Sequence, residues 1–381
     1  MKIKDFREMS TLFEDVLDRN HQKFKNNQVQ ATNQLKSYII ENHISKSNDK
    51  EKYIHKFFAK LNAKIRKVDF QLKSTEESNF FINHSDSDQG DIYIDTSNDR
   101  YWVLHSISKA EFSDYFHSSI LKMKNVDQMW LPIPFLLGLK KFGNTYGLGV
   151  SFTEYLKREE IDDLILDNQD TLNMNIKRLY VEPLISLLMR DEQLKTIVGI
   201  NKISLLSPTN ESDKSYIVDD ITFNGKITAK GNSYFKHEHI LKSVLQTYEN
   251  KVFEIENKYS LNFNTNKNMI DGRPIEISLN RKDIDLIKLI EILFAGKKPF
   301  NLWGIPDWVN ENFCRVSAVD LHMGNFGKTL EFEISKDKIV VVLPLGSCGN
   351  SVARLLTNIH QSIDATSVMK GDSGSEFFEI I

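Results

Sequence analysis

Residues Arg315 to Asp364 read RVSAVDLHMGNFGKTLEFEISKDKIVVVLPLGSCGNSVARLLTNIHQSID, and this stretch decides the fold. Val316, Ala318 and Leu321 lie near one face of a first strand, and Leu330, Phe332 and Ile334 alternate along a second, as half-buried strands require. Ile339 to Leu343 is continuously apolar, the pattern of a strand covered on both faces. Gly346 and Gly349 then bracket a turn, after which Val352, Leu355, Leu356, Ile359 and Ile363 recur at helical spacing. The stretch predicts a three-stranded meander that hands a glycine-containing turn to a helix N-terminus.

Working outward, Ile217–Phe223 and Lys226–Ala229 flank Asn224-Gly225, the dipeptide that best tolerates a type I′ hairpin turn. His237–Tyr259 and Lys282–Phe294 read as helices, Ile275, Ile277 and Leu279 as a strand, and LWGIPDW as a loop whose Trp303 and Trp308 form a packed cluster or a partner patch. Thr171–Leu194 is ambiguous, since Pro183 argues against one continuous helix. Nearer the N-terminus, short strands follow one another from Val68 to His105, and a helix at Lys109–Lys124 covers them. Before Val68 the apolar spacing predicts three amphipathic helices, around Asp5–Phe24, Leu35–Ile40 and Ile54–Ile65.

The fold class expected is α+β, a helical N-terminal region followed by mixed α/β regions with antiparallel meanders. The expected divisions are a basic helical arm at 1–66, a central α/β region at 67–167, a C-terminal α+β region at 168–369 with a split near 266–281, and a frayed tail at 370–381. A chain of 381 residues calls for more than one core.

No apolar run approaches the eighteen or so residues of a membrane span, and MKIKDFREMS has no apolar core of signal-peptide length, so a cytoplasmic location without membrane contact is expected. Cys314 and Cys348 are too few for a disulfide framework or a thiolate zinc site and read as small buried hydrophobes. The net charge of -3 conceals an asymmetry: Met1 to Lys67 holds 15 Lys and Arg against 8 Asp and Glu. Such a basic arm suits an acidic partner, of which nucleic acid is the commonest.

The sharpest motif is Lys52, Lys56, Lys60 and Lys64 at strict i, i+4 spacing, with Lys67 close behind. Each step advances 40°, so the four rise along one helix edge while Ile54, Phe57, Phe58, Leu61 and Ile65 rise along another. Like charges at this spacing repel, so the edge favours an anion unless neighbouring helices supply acids. Farther on, Asp69-Phe70-Gln71-Leu72-Lys73 places Gln-x-Lys on a strand, which resembles the last catalytic strand of Mrr-like restriction nucleases. The resemblance implies a metal-dependent nuclease with Asp69, Gln71 and Lys73 at its site. Upstream of Asp69, however, the chain reads as helical where that pattern wants an acid on a strand. In the turn GSCGN, the residues Gly346, Ser347, Gly349 and Asn350 present backbone N–H groups to an anion, and Cys348, with His322 and Asp320 as base and orienter, is a remoter nucleophile.

His237-Glu238-His239 lacks metal-ligand spacing and reads as a helix first turn, and Asp86, Asp88 and Asp91 do not complete a calcium loop. No Walker A, G-x-G-x-x-G, kinase set or H-E-x-x-H occurs, and no cofactor or metal is expected. The function expected is a non-enzymatic subunit of a bacterial-type multi-protein system that binds nucleic acid or a protein partner. The Asn-, Lys- and Ile-rich composition, common in AT-rich genomes and mobile elements, associates it with defence against foreign DNA.

Overall fold

The computed structural model describes all residues except 1–2, 27–32, 44–48, 66–68, 86–89, 157–170, 179–180, 209–213, 267, 323–326, 372–373 and 381. In chain order the elements are α1 (Phe6–Lys25), β1 (Leu35–Asn42), α2 (Lys50–Asn62), β2 (Phe70–Ser74), β3 (Phe80–Ser85), β4 (Ile92–Asp95), β5 (Tyr101–Ser106), α3 (Ala110–Ile120), β6 (Val126–Gln128) and α4 (Ile133–Gly138). There follow β7 (Asn144–Thr153), β8 (Thr171–Lys177), α5 (Val181–Leu188), β9 (Ile200–Leu206), β10 (Ile217–Thr222), β11 (Lys226–Gly231), α6 (Tyr234–Lys258), β12 (Asn262–Asn264), β13 (Met269–Asp271), β14 (Ile275–Ser278) and α7 (Leu286–Phe294). The last are β15 (Leu302–Asn310), β16 (Phe313–Asp320), β17 (Thr329–Ile334), β18 (Lys338–Val342), α8 (Asn350–Ser362) and β19 (Val368–Met369). Helices and antiparallel strands in these proportions make an α+β fold.

The chain forms two compact units, each assembled from separated stretches: the first from Met1–Met129, Lys141–Asn144 and Ser204–Leu245, the second from Trp130–Lys140, Thr145–Ile203 and Gln246–Ile381. The expected arm at 1–66 and the start of the expected central region thus share one unit.

In the first unit the strand order is β2-β3-β4-β5-β1-β11-β10, with β6 also pairing β1. The expected second helix at Leu35–Ile40 is instead β1, the strand at the middle of this sheet, and all eight of its residues are buried. A run of apolar residues too short to carry a helix fits a strand covered on both faces, and β-branched Ile39 and Ile40 pack well there. Helices α2 and α3 cover one face: Ile54, Phe57, Phe58 and Leu61 meet Tyr38, Ile40, Trp102, Phe112 and Phe116 in a single cluster. Burying each of these side chains stabilises the unit by roughly 1.5–3 kcal/mol. Helix α1 lies on the other face, with Phe13 against Tyr93, His105 and Tyr234.

The hairpin at β10–β11 forms as expected, and Gly225 has φ +75°. Its turn is not type I′, because Asn224 does not share the positive φ. The Gly225 N–H donates to Thr222 O at 3.0 Å, making Phe223 and Asn224 the central pair, with Gly225 in the left-handed position that follows them. This is the three-residue alternative open to Asn-Gly, a type I turn with a glycine bulge.

In the second unit the sheet runs β15-β16-β17-β18-β14-β19. The meander β16–β17–β18 and the following α8 match the opening stretch, although the first strand stops at Asp320 and Leu321 is exposed. In β18 only Ile339 and Val341 are buried while Val340 and Val342 are half-buried, so the apolar run does not mean equal cover on both faces. LWGIPDW is not a loop but edge strand β15, on which Trp303 and Trp308 are exposed, while Phe300 just before it is buried. Pro306 is compatible with an edge because no partner there requires its missing N–H. Thr171–Lys177 resolves as strand β8, and Pro183 sits in the first turn of α5, where its missing N–H costs no helix bond.

Candidate functional site

Asp49 starts α2 by accepting the Lys52 backbone N–H at 3.0 Å, and Glu51 in the first turn suits the positive helix end. That start fixes the phase of every later side chain. Ile54, Phe57, Phe58, Leu61 and, just past the helix, Ile65 are buried, whereas Lys52, Lys56, Lys60 and Lys64 are all exposed. None of the four lysines has an ion-pair partner among the described residues. The acid nearest in sequence, Glu51, is held by Ser74 at 2.9 Å and faces His55 at 3.8 Å. Lys67 lies outside the described residues.

Beside the lysine edge, α2 and β2 enclose a groove of about 450 Å³. His55, Ala59, Asn62 and Ala63 form its helix wall, and Asp69 to Leu72 form its strand wall. Along the helix these wall positions lie between the lysine edge and the buried face. Asn62 joins the walls, donating to Phe70 O at 3.3 Å and to Asn83 Oδ1 at 2.9 Å, and His55 Nε2 reaches Ser74 Oγ at 2.8 Å.

Asp69, Gln71 and Lys73 are all exposed, the latter two on β2 opposite His84 and Ile82 of β3. The acid nearest this face in the ladder, Asp91, is bound to His84 Nδ1 at 2.9 Å and to the Ser85 N–H at 3.1 Å. Among the described residues, no group of three metal-ligating side chains includes Asp69 or Asp91.

The glycine turn before α8 is occupied from within its own unit. Gly346 adopts φ +77°, Ser347 Oγ donates to Pro344 O at 2.6 Å, and the Gly349 N–H donates to Glu256 Oε1 at 2.8 Å. Asn350 Oδ1 accepts from the Tyr248 hydroxyl. The anion at this helix N-terminus is therefore the protein's own carboxylate. Cys314 and Cys348 are buried thiols outside any disulfide. Asp320 does orient His322, Oδ2 to Nδ1 at 3.1 Å, and a His322 nitrogen lies within 4.8 Å of Cys348 Sγ. Yet Asp320 also pairs with Arg354 at 2.5 Å and accepts from Ser351. The Arg354 guanidinium holds the Asp320 carboxyl far below the usual carboxylate range against the opposing pull of burial. This cluster is a buried ion pair that anchors α8 to the end of β16.

One constellation has no sequence motif at all. In the first unit Ser37 Oγ lies 2.8 Å from His237 Nε2 and 2.8 Å from His105 Nδ1, and His237 Nδ1 lies 2.8 Å from Asp219 Oδ1. Ser37, His237 and Asp219 are 0% exposed, so this serine–histidine–aspartate chain meets no solvent. Burial, reinforced by His237, pushes His105 down to about 3 and keeps it neutral, while burial raises Asp219. Its members are spread over β1, β5, β10 and α6, and no local spacing could have revealed them. His237 does fall in the first turn of α6, as expected.

Among the described residues, no helix is long and apolar enough to cross a membrane. The chain belongs to the MJECL33-like protein family, whose sequence pattern matches residues 1–378. It is 27% identical to "Uncharacterized protein MJECL33" of Methanocaldococcus jannaschii over an alignment of 409 residues, covering 97% of this chain and 93% of that relative.

Proposed function

We propose that this protein is a non-enzymatic binding subunit that holds an anionic macromolecule on the lysine edge of α2. The observation that carries the reading is that Lys52, Lys56 and Lys60 along α2 and Lys64 in the turn just past it are all exposed, with no described acid to neutralise them. Four like charges at successive i, i+4 positions cost a few tenths of a kcal/mol per pair in the free protein, and a bound polyanion removes that cost. A nucleic-acid backbone and an acidic protein segment both meet this requirement, and neither needs a catalytic group.

The test is fluorescence anisotropy at low ionic strength with labelled duplex DNA, single-stranded DNA and poly-glutamate. The wild-type chain binds at least one of them, and the K52Q/K56Q/K60Q/K64Q variant binds it at least tenfold more weakly with its circular dichroism unchanged. Equal binding by the two proteins would remove the lysine edge from the account.

A further inference from the structure

In the second unit, β16 and β17 alternate cleanly: Cys314, Val316 and Ala318, then Leu330, Phe332 and Ile334, are buried, and the residues between them are exposed or half-buried. Phe294 of α7 packs on Phe332 of the buried layer. The ladder register sets the outward residues in rows. Trp303 of β15 shares a row with Val319, Ile305 with Ser317, Glu331 and Val342, and Asp307 with Arg315, Glu333 and Val340. A wet sheet face ordinarily carries polar residues, yet here Ile305 is 66% exposed and Trp303 51% exposed. Leu321, also exposed, adjoins them: a Cβ added at Gly296 would lie 3.2 Å from Trp303 and 3.4 Å from Leu321. A continuous apolar surface centred on an exposed tryptophan is the signature of an interface.

The face of β15 is offered rather than its edge. The Leu302 carbonyl is taken by the Gly296 N–H at 2.7 Å, and Pro306 has no N–H to give a further strand. Charge selects the occupant. Arg315 is paired with Glu333 at 3.3 Å and Lys338 with Glu276 at 3.3 Å, so the cations of this face are committed. Asp307, the next outward residue after Ile305, and Glu331, in the same row as Ile305, have no ion-pair partner among the described residues; Glu331 accepts from the Ser317 hydroxyl at 2.5 Å. A second copy laid face to face would add its own Asp307 and Glu331 to a surface with no spare cation. A basic segment instead matches both acids. From β15 to β18 the patch spans three strand spacings, about 14 Å, which one helix about 10–12 Å across covers.

We infer that a basic amphipathic helix of a partner protein docks on the outward face of β15 to β18, with its apolar stripe on Trp303 and Ile305 and its Lys or Arg side chains on Asp307 and Glu331. Burial of the two apolar side chains supplies most of the affinity, and the two acids set the sign of the partner. The surface does not depend on the lysine edge of α2, and either reading can fail without the other.

The probe is a labelled helical peptide of Leu and Lys, about five turns long, with Leu at i, i+3, i+4 and i+7 spacing. Its controls are the same helix with Glu for Lys and the same helix with Ser for Leu, each read by fluorescence anisotropy against the full chain. The Leu-Lys helix is expected to bind and both controls to bind at least tenfold more weakly. W303S/I305S should weaken the Leu-Lys helix at least tenfold, and D307N/E331Q about threefold to tenfold, as the loss of two surface ion pairs allows. Ile305→Ser alone, at the most exposed of these apolar positions, keeps the test decisive if the change at Trp303 disturbs the fold. No binding of the Leu-Lys helix, a preference for the Glu helix, or binding that ignores both Ile305→Ser and D307N/E331Q would overturn the proposal. Self-association in sedimentation that is lost in W303S/I305S, without peptide binding, would assign the face to a second copy and overturn the helix.

Discussion

Two places in this chain look ready for an anion, the lysine edge of α2 in the first unit and the glycine turn before α8 in the second, and they have been treated in opposite ways. At α8 the Gly349 N–H already holds the Glu256 carboxylate, Asn350 is bound by Tyr248, and the adjoining Asp320 and Arg354 neutralise each other in the core. Along α2 and just past its end four lysines are exposed, and none has an ion pair among the described residues. A charge requirement met inside the fold is part of its stability. One left unmet, on a helix whose other face is engaged in a core, is what the proposed binding role would use.

The largest effect that separates the two regions is expected at Arg354. Arg354→Met leaves Asp320 buried without its principal cation and should destabilise the chain by roughly 3–5 kcal/mol, measured by urea denaturation. A loss below about 1 kcal/mol would mean that the second unit does not depend on internal charge matching.

Next in size is the response to acid. Burial lowers His105 to about 3 and His117 to about 4, against a value near 6.5 in an unfolded chain. Their folded values are depressed, so the stability they contribute is complete above about pH 6.5 and is lost as pH falls toward 4 and then 3. Asp219, raised by burial, works in the opposite sense, and His360 in the second unit, lowered to about 4, in the same sense as the other two histidines. A thermal melt should therefore fall steadily below pH 6, by several kcal/mol near pH 4, and His117→Gln should flatten the fall. A melt that is level from pH 7 to pH 4 would contradict the buried neutral histidines.

Smaller still, Glu256→Gln should cost about 1 kcal/mol, because a charged acceptor at a helix N-terminus becomes a neutral one. The smallest effect has the opposite sign: replacing the four α2 lysines by Gln should leave stability unchanged or raise it by a few tenths of a kcal/mol, through relieved repulsion. A loss of more than about 1 kcal/mol in that variant would place the lysines in the structure of the unit rather than on a surface kept for a partner.

Where one period ran long enough, the fold was legible. Helix α2, the meander, α8 and the Asn224-Gly225 hairpin each carry a local pattern that tertiary packing had no reason to override. Strand β1 was not legible, because Lys36, Ser37, Glu41 and Asn42 break the apolar pattern and yet are buried, and Lys36, Ser37 and Glu41 find partners far along the chain in Ser108, His105, His237 and Arg100. Nor was the assembly of each unit from separated stretches, since no composition shift marks where the chain leaves one core and returns. Of the candidate site, the lysine edge could be read from spacing alone. The groove could not, because it depends on β2 lying at the end of the sheet beside α2, and strand order is not written in either segment. Strand β15 was missed because Gly304 and Pro306 read as turn signals, whereas on an edge both are tolerated.

The central proposal is that α2 binds a polyanion through charges that no described acid pairs with, and the salt dependence of that binding tests it most directly. With duplex DNA as the probe, each neutralised phosphate contributes roughly -0.9 to the slope of log K against log salt concentration. The account predicts that the K52Q/K56Q/K60Q/K64Q variant has a slope shallower by about 3 to 4 and loses affinity alike for every sequence, since backbone contacts carry no base information. For poly-glutamate the same flattening is expected in direction. Identical slopes for the two proteins, or no binding of either polyanion at about 50 mM salt, where such contacts are strong, would contradict it.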